Sequence, residues 1–253
     1  MRYLPVMKAK PGALAVLLLA GVALAGCTPA PVGVGFADPY EATNRKTHKI
    51  NRSLDRAIVR PISNAYGKSA PGPLRKGVSN VASNLSLPST VLNNLLQFRI
   101  EEAGANTFRF LVNSTFGFAG LLDVATEAGI ARDPSDFGET LHVWGVKEGT
   151  YLELPILGPS TSRQAAGRVV DTLTNPLNFV LEGQDRAAAT GSTVLARFGD
   201  RYQFRDLVDS VLYESEDSYA QARLLYLQNR RFALTGETQL DDVDPYEDVY
   251  GLE

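Results

Sequence analysis

The chain has 253 residues, 25 Lys+Arg against 28 Asp+Glu, and 44% hydrophobic residues, enough for a sizeable core in one or two domains. This near-balance of charge excludes the basic footprint of a nucleic-acid binder. One Cys and two His leave little material for a disulfide framework or a His-rich metal centre.

The first 26 residues read as a leader. Arg2, Lys8 and Lys10 make a basic start, and residues 12–25 form an uncharged apolar run of 14. A spanning helix needs roughly 20 apolar residues, so the run is a signal peptide. Without its three cations the mature chain carries 22 basic and 28 acidic side chains, a net charge of −6. Leu24-Ala25-Gly26-Cys27 resembles a bacterial lipobox, with small residues before a thiol that carries diacylglycerol. Lipidation at Cys27 explains a lone cysteine in an oxidising compartment. Each buried CH₂ adds ~0.8 kcal/mol, so two or more acyl chains anchor the protein stably. Thr28, not Asp, follows the lipidated residue, which by resemblance to such lipoproteins favours the outer membrane. Residues 28–37, rich in Pro, Gly and Ala, form a tether of at most about 35 Å.

From residue 38 the pattern is helical. Asp38-Pro39-Tyr40-Glu41 reads as a capped start, and Ile50, Leu54 and Ile58 share one face of a helix that Pro61 is expected to end. Pro71-Gly72-Pro73 opens a second helix carrying Leu74, Val78, Val81 and Leu85. Pro88 is expected to start a third, with Val91, Leu92, Leu95 and Leu96, and residues 101–112 a fourth. Residues 110–122 then hold 13 positions without a charge, too short to span a bilayer and without a clear period. They fit either a core helix with a turn or a segment lying in a membrane surface. Residues 133–160 are rich in Gly and Pro, with a short strand at 151–154. Helices are expected again at 163–173, 185–198 and 204–232, the last broadly buried around Leu224-Leu225-Tyr226-Leu227. Residues 236–253 carry seven acidic and no basic side chains and read as a solvated, disordered tail. The class is all-α with long loops.

Catalytic signatures are missing from the chain. His48 and His142 stand in no HExxH arrangement, and no GxSxG or Walker A sequence occurs. His48 reads as a surface residue and His142 as a loop residue. Asp136-Phe137-Gly138 lacks the partners of a kinase motif, and paired acids such as Glu101-Glu102 read as solvated faces. No enzyme, metal or cofactor is expected.

Residues 38–180 resemble the MlaA/VacJ lipoprotein family. The resemblance rests on Asp38-Pro39-Tyr40-Glu41 with Asn44-Arg45, on Asn80, Asn84-Leu85, Pro88 and Asn93 to Gln97, and on Arg109-Phe110 with Asn113-Ser114-Thr115, Gly117, Gly120 and Asp123-Val124-Ala125. Asp136-Phe137-Gly138, Trp144-Gly145, Tyr151, Leu154-Pro155 and Leu157-Gly158-Pro159-Ser160 continue it. Ile50 stands where the family tends to have Phe, and Arg163-Gln164 where it tends to have Arg-Asp, which removes an acid.

The resemblance implies a flat helical ring in the inner leaflet of the outer membrane, on its periplasmic face. An amphipathic channel there takes phospholipids mislocalised in the outer leaflet. It passes them to a periplasmic carrier protein that feeds an inner-membrane transporter, and members associate with a trimeric porin. Phe110, Asn113, Ser114, Thr115, Phe116, Phe118, Leu121 and Leu122 are the candidates for lipid channel or membrane contact, with Cys27 as anchor. A bracing lipoprotein acting through protein contacts and a surface phospholipase are the competing readings.

Overall fold

A computed structural model describes residues 38–235. The leader, Cys27, the tether and the acidic tail lie outside the described residues. The body is helical: α1 (Glu41–Leu54), a π-turn π1 (Asp55–Val59), α2 (Arg60–Ser69), α3 (Gly72–Leu96), α4 (Ile100–Thr115), α5 (Val124–Glu127) and α6 (Phe137–Val143). A hairpin follows, β1 (Tyr151–Leu154) antiparallel to β2 (Gly158–Thr161), with Tyr151 opposite Thr161. Then come α7 (Ser162–Thr174), α8 (Leu177–Val180), α9 (Gly183–Gln203), α10 (Arg205–Asp209), a second π-turn π2 (Ser210–Glu214) and α11 (Ser218–Thr235).

Several boundaries differ from the sequence expectation. Pro61 does not end a helix: it sits in the first turn of α2, just after π1. There a proline's missing N–H and fixed φ are tolerated, so the chain stays helical from Glu41 to Ser69. Pro88 does not start a helix either, but lies inside the 25-residue α3. Packing of α3 along α4 and α9 holds that helix through the defect. Asp38 is not the cap of α1; its carboxylate accepts instead from Asn44, Tyr219 and Arg223, closing the start of the body against α11. The expected helix over 204–232 is broken after Glu214, where π2 gives way to extended Ser215. On α11 Leu227 is buried but Leu224 and Leu225 are exposed, so that end covers one face and not most of a turn.

Successive neighbours close on themselves. α1 packs on β1, β2 on α7, α7 on α6, α6 on α3, α3 on α9, α9 on α2, and α2 returns through π1 to α1. Glycine makes one of these joints. A Cβ on Gly167 of α7 would stand 2.4 Å from the Gly138 nitrogen of α6, so the two backbones touch.

The closed circuit is polar within and apolar without. Among the described residues eight hydrophobic side chains are buried, against twenty-one polar or charged ones and twenty-nine exposed large hydrophobics. Buried amides line the helix faces that meet: Asn84, Asn93 and Asn94 on α3 with Gln97 just past its end, Asn106 and Asn113 on α4. Their bonds are specific. Gln97 donates to Ser135 and Thr140, Asn93 to Asp171, and Asn106 to the Asp133 carbonyl. A water-soluble domain has the opposite distribution, because burying apolar surface drives its folding and unpaired polar groups are costly inside. No helix among the described residues is long and apolar enough to cross a membrane.

Candidate functional site

The eight candidates of the uncharged run sit at the end of α4 and on the loop after it. Phe110 to Thr115 complete the helix, so residues 110–122 are part helix and part turn. Phe116 is 75% and Phe118 74% exposed, and Leu121 and Leu122 are exposed beside them, while Phe110 is half-buried. Phe118 and Ala119 both hold positive φ, 51° and 58°, ahead of Gly120 at 90°. Non-glycine residues adopt that region at a cost, so surrounding contacts must hold them there.

Those contacts are visible. The N–H groups of residues 116, 117, 119, 120, 121 and 122 all donate to carbonyls of α4 or of the loop itself, as from Gly120 to Asn113 at 2.8 Å and Leu122 to Gly117 at 2.9 Å. Asn80 of α3 donates to the Leu121 carbonyl, and Gly77 admits the Leu121 side chain close to α3. Gly120 passes so near Asn84 that any Cβ would lie 2.5 Å from its side chain.

The polar candidates brace this loop. Asn113 donates to Asp123 at 2.9 Å and accepts from the Ala125 N–H at 2.9 Å. The Ser114 hydroxyl accepts from Asn84, and that of Thr115 donates back to the Leu111 carbonyl. Beneath them Arg109, 2% exposed, donates to both Asp123 oxygens, to Thr126 and to the Ile130 carbonyl. Burial pushes the Asp123 carboxyl up, but the bonds from Thr126 and Asn113 and the charge of Arg109 outweigh this and hold it below the usual range. The result is an apolar tip whose backbone N–H groups are bonded except that of Phe118, clamped from behind by the ion pair of buried Arg109 with half-buried Asp123. Such a tip enters hydrocarbon with a single bare backbone donor, that of Phe118.

A second cluster was not legible from sequence. His48 is not a surface residue: it is buried between α1, β1 and α11. Its Nε2 lies 3.1 Å from the Ser218 hydroxyl and its Nδ1 3.4 Å from Glu153. Serine, imidazole and carboxylate in that order suggest a hydrolase, but acyl transfer also needs donors for an oxyanion. The N–H groups after the serine, Tyr219 and Ala220, are both bonded to Asp217 Oδ1 at 3.1 Å. Glu153 also accepts from Tyr151 and Asn51. The cluster locks three elements together. His142 lies on α6, not in a loop, beside Arg163, and burial with that guanidinium lowers its pKa. Asp136 caps α6 and takes both bonds of Arg230, with Gln164 as a further donor, so the amide at 164 serves the joint without an acid.

Next to His48 lies a cleft of about 230 Å³, lined by residues of α1, π1, the hairpin, π2 and α11. Arg52, Arg56 and Arg60 each lie within 5.5 Å of the Tyr213 ring. Their spacing of four along the chain was the one available sequence signal. Among the described residues no group of acidic, His or Cys side chains is arranged to hold a metal ion.

The chain is 33% identical over 228 residues to the intermembrane phospholipid transport system lipoprotein MlaA of Shigella flexneri, covering 88% of this chain and 89% of that protein. It is 32% identical to the Escherichia coli protein of the same name over the same shares, and 34% identical over 187 residues to an uncharacterized protein of Rickettsia typhi, covering 74% of this chain and 73% of the relative. A solved structure described as the structural basis for maintenance of bacterial outer membrane lipid asymmetry superimposes with a TM-score of 0.68 at 34% identity, over 79% of this chain and 100% of that one. The MlaA lipoprotein family model matches residues 36–233, and the chain belongs to that family.

Proposed function

We propose that this chain is an outer-membrane lipoprotein, anchored through Cys27 on the periplasmic face, that removes mislocalised phospholipid from the outer leaflet and so maintains lipid asymmetry. The observation that carries the reading is the inverted distribution of side chains: polar groups fill the closed helical circuit and large apolar groups stand outside it. That arrangement is stable where the surroundings are hydrocarbon and the interior conducts polar headgroups. Phe110, Phe116, Phe118, Leu121 and Leu122 are then the membrane-contact group, and Asn113, Ser114 and Thr115 hold it in place. The relatives named for intermembrane phospholipid transport, and the neighbour described for lipid asymmetry, support the same reading.

The downstream partner on this reading is a periplasmic phospholipid carrier that feeds an inner-membrane transporter, and a trimeric porin is the neighbour within the membrane. The protein lowers the barrier for a headgroup crossing the apolar layer, and net flow follows the lipid gradient and the state of the carrier. Deleting the gene is expected to leave phospholipid in the outer leaflet and to sensitise cells to detergent. The wild-type copy restores the barrier, and a Cys27→Ala copy, released from the outer-membrane fraction, does not. Mass spectrometry of liposomes incubated with purified protein checks the chemistry. Lysophospholipid appearing in proportion to protein would replace transport with a phospholipase, and a deletion strain with an unchanged outer leaflet would leave only a bracing role.

A further inference from the structure

The cleft beside His48 has two kinds of wall. Leu54, Val59, Ile156, Pro159, Leu212 and Ala222 make it apolar, and His48, Asn51, Arg52, Asp55 and Glu153 bring polar groups to the same space. Both carboxylates are occupied within the protein. Asp55 takes two bonds from Arg201, each 2.9 Å, and one from the Tyr213 hydroxyl. Glu153 takes those from Tyr151 and Asn51, and His48 Nδ1 lies 3.4 Å from it. Arg52 is different. Its Nε is buried and bonded to nothing among the described residues, no carboxylate pairs with it, and its guanidinium rests 5.5 Å from the centre of the Tyr213 ring. Arg56 shares that ring at 4.9 Å, also without a carboxylate partner among the described residues.

Two further features favour a ligand. π1 supplies Asp55 and Val59 to the cleft and π2 supplies Leu212. Single π-turns weaken the helix ladder and are found frequently where function requires them. Leu54 also lines a shallower groove of about 400 Å³ with Lys49, Ile50, Ser53 and Ala57 on the outer side of α1. Polar cleft and apolar groove therefore meet at one side chain.

We propose that the phosphodiester of a phospholipid headgroup binds in this cleft, with Arg52 as its charged ligand and the groove beyond Leu54 taking the adjoining acyl chains. The inference rests on the lipid-transport reading and adds to it the subsite that recognises the headgroup. An anion placed there takes charge-assisted bonds from the Arg52 guanidinium, the strongest kind open to it. A lipid without phosphate gains only the apolar contacts. Arg52 is thus a specificity residue for the phosphate.

The test uses the full lipidated protein in detergent, with native mass spectrometry to count bound lipid. The probes are a short-chain phosphatidylethanolamine, the diacylglycerol of the same chains, and inorganic phosphate. Arg52→Gln is expected to weaken phosphatidylethanolamine binding roughly tenfold, as loss of a charged hydrogen bond implies, and to leave diacylglycerol binding unchanged. Arg52→Lys restores most of the loss. Equal phosphatidylethanolamine binding by wild type and Arg52→Gln, with wild type still transferring lipid between vesicles, would overturn the subsite and leave the transport reading standing. Wild type that binds neither lipid and transfers none would overturn both. Equal loss of diacylglycerol in the variant would mean a structural role and also overturn the assignment, as would displacement of the lipid by inorganic phosphate at equal concentration.

Discussion

Replacing Arg109 by Leu is expected to lower stability by about 3 kcal/mol, the low end of the loss for a buried ion pair, because the Asp123 carboxylate left behind is 27% exposed and regains water. In a body of this size that is a fall of roughly 10 °C in Tm. The cause is local. Arg109 is the shared donor for Asp123, Thr126 and the Ile130 carbonyl, and its removal leaves the Asp123 carboxylate with only Asn113 and Thr126. Asp123 orients Asn113, and Asn113 holds the start of α5 and the loop of residues 116–122. Lipid transfer is therefore expected to fall with stability. Thermal unfolding across pH checks the electrostatic part. The folded pKa of Asp123 lies below its unfolded value, so its contribution is present above about pH 4 and is lost as pH falls through the folded pKa. The Arg109→Leu protein should show a shallower loss on acidification. An unchanged melting curve at neutral pH would remove Arg109 from the support of the loop.

Phe116→Asp with Phe118→Asp is expected to abolish lipid transfer with little change in helical content. The two rings are about three-quarters exposed and make little of the core, so folding barely depends on them. Burial of a Phe side chain in an apolar phase contributes about 1.5–3 kcal/mol, so losing two lowers membrane partition by a factor on the order of 100 or more. Introducing carboxylates adds to that cost. Circular dichroism beside liposome flotation, in a Cys27→Ala background so that the anchor does not mask the effect, separates the outcomes. Flotation equal to the Cys27→Ala parent would place the membrane contact elsewhere on the apolar exterior. Global unfolding would return the two rings to the core.

The amino-acid sequence by itself determined the helical class, the strand at 151–154 and the uncharged run, because these depend on local composition and period. The family was legible in fixed spacings around Asn, Gly and Pro, residues whose roles are tied to specific backbone positions. Pairing in three dimensions decided the rest. Pro61 and Pro88 read locally as helix ends, yet a π-turn before one and packing on α4 and α9 around the other carry the chain through. His48 and Asp38 read as surface or cap because their partners, Glu153, Ser218, Tyr219 and Arg223, lie more than 100 residues away. Asn113 read as a lipid-channel or membrane-contact candidate, and no local pattern disclosed that Asp123 and the Ala125 N–H take both ends of its amide. Arg52 carried only the periodicity of a solvated helix face. Its buried, unmatched Nε exists because the hairpin and π2 close over α1, and no window of sequence contains all three.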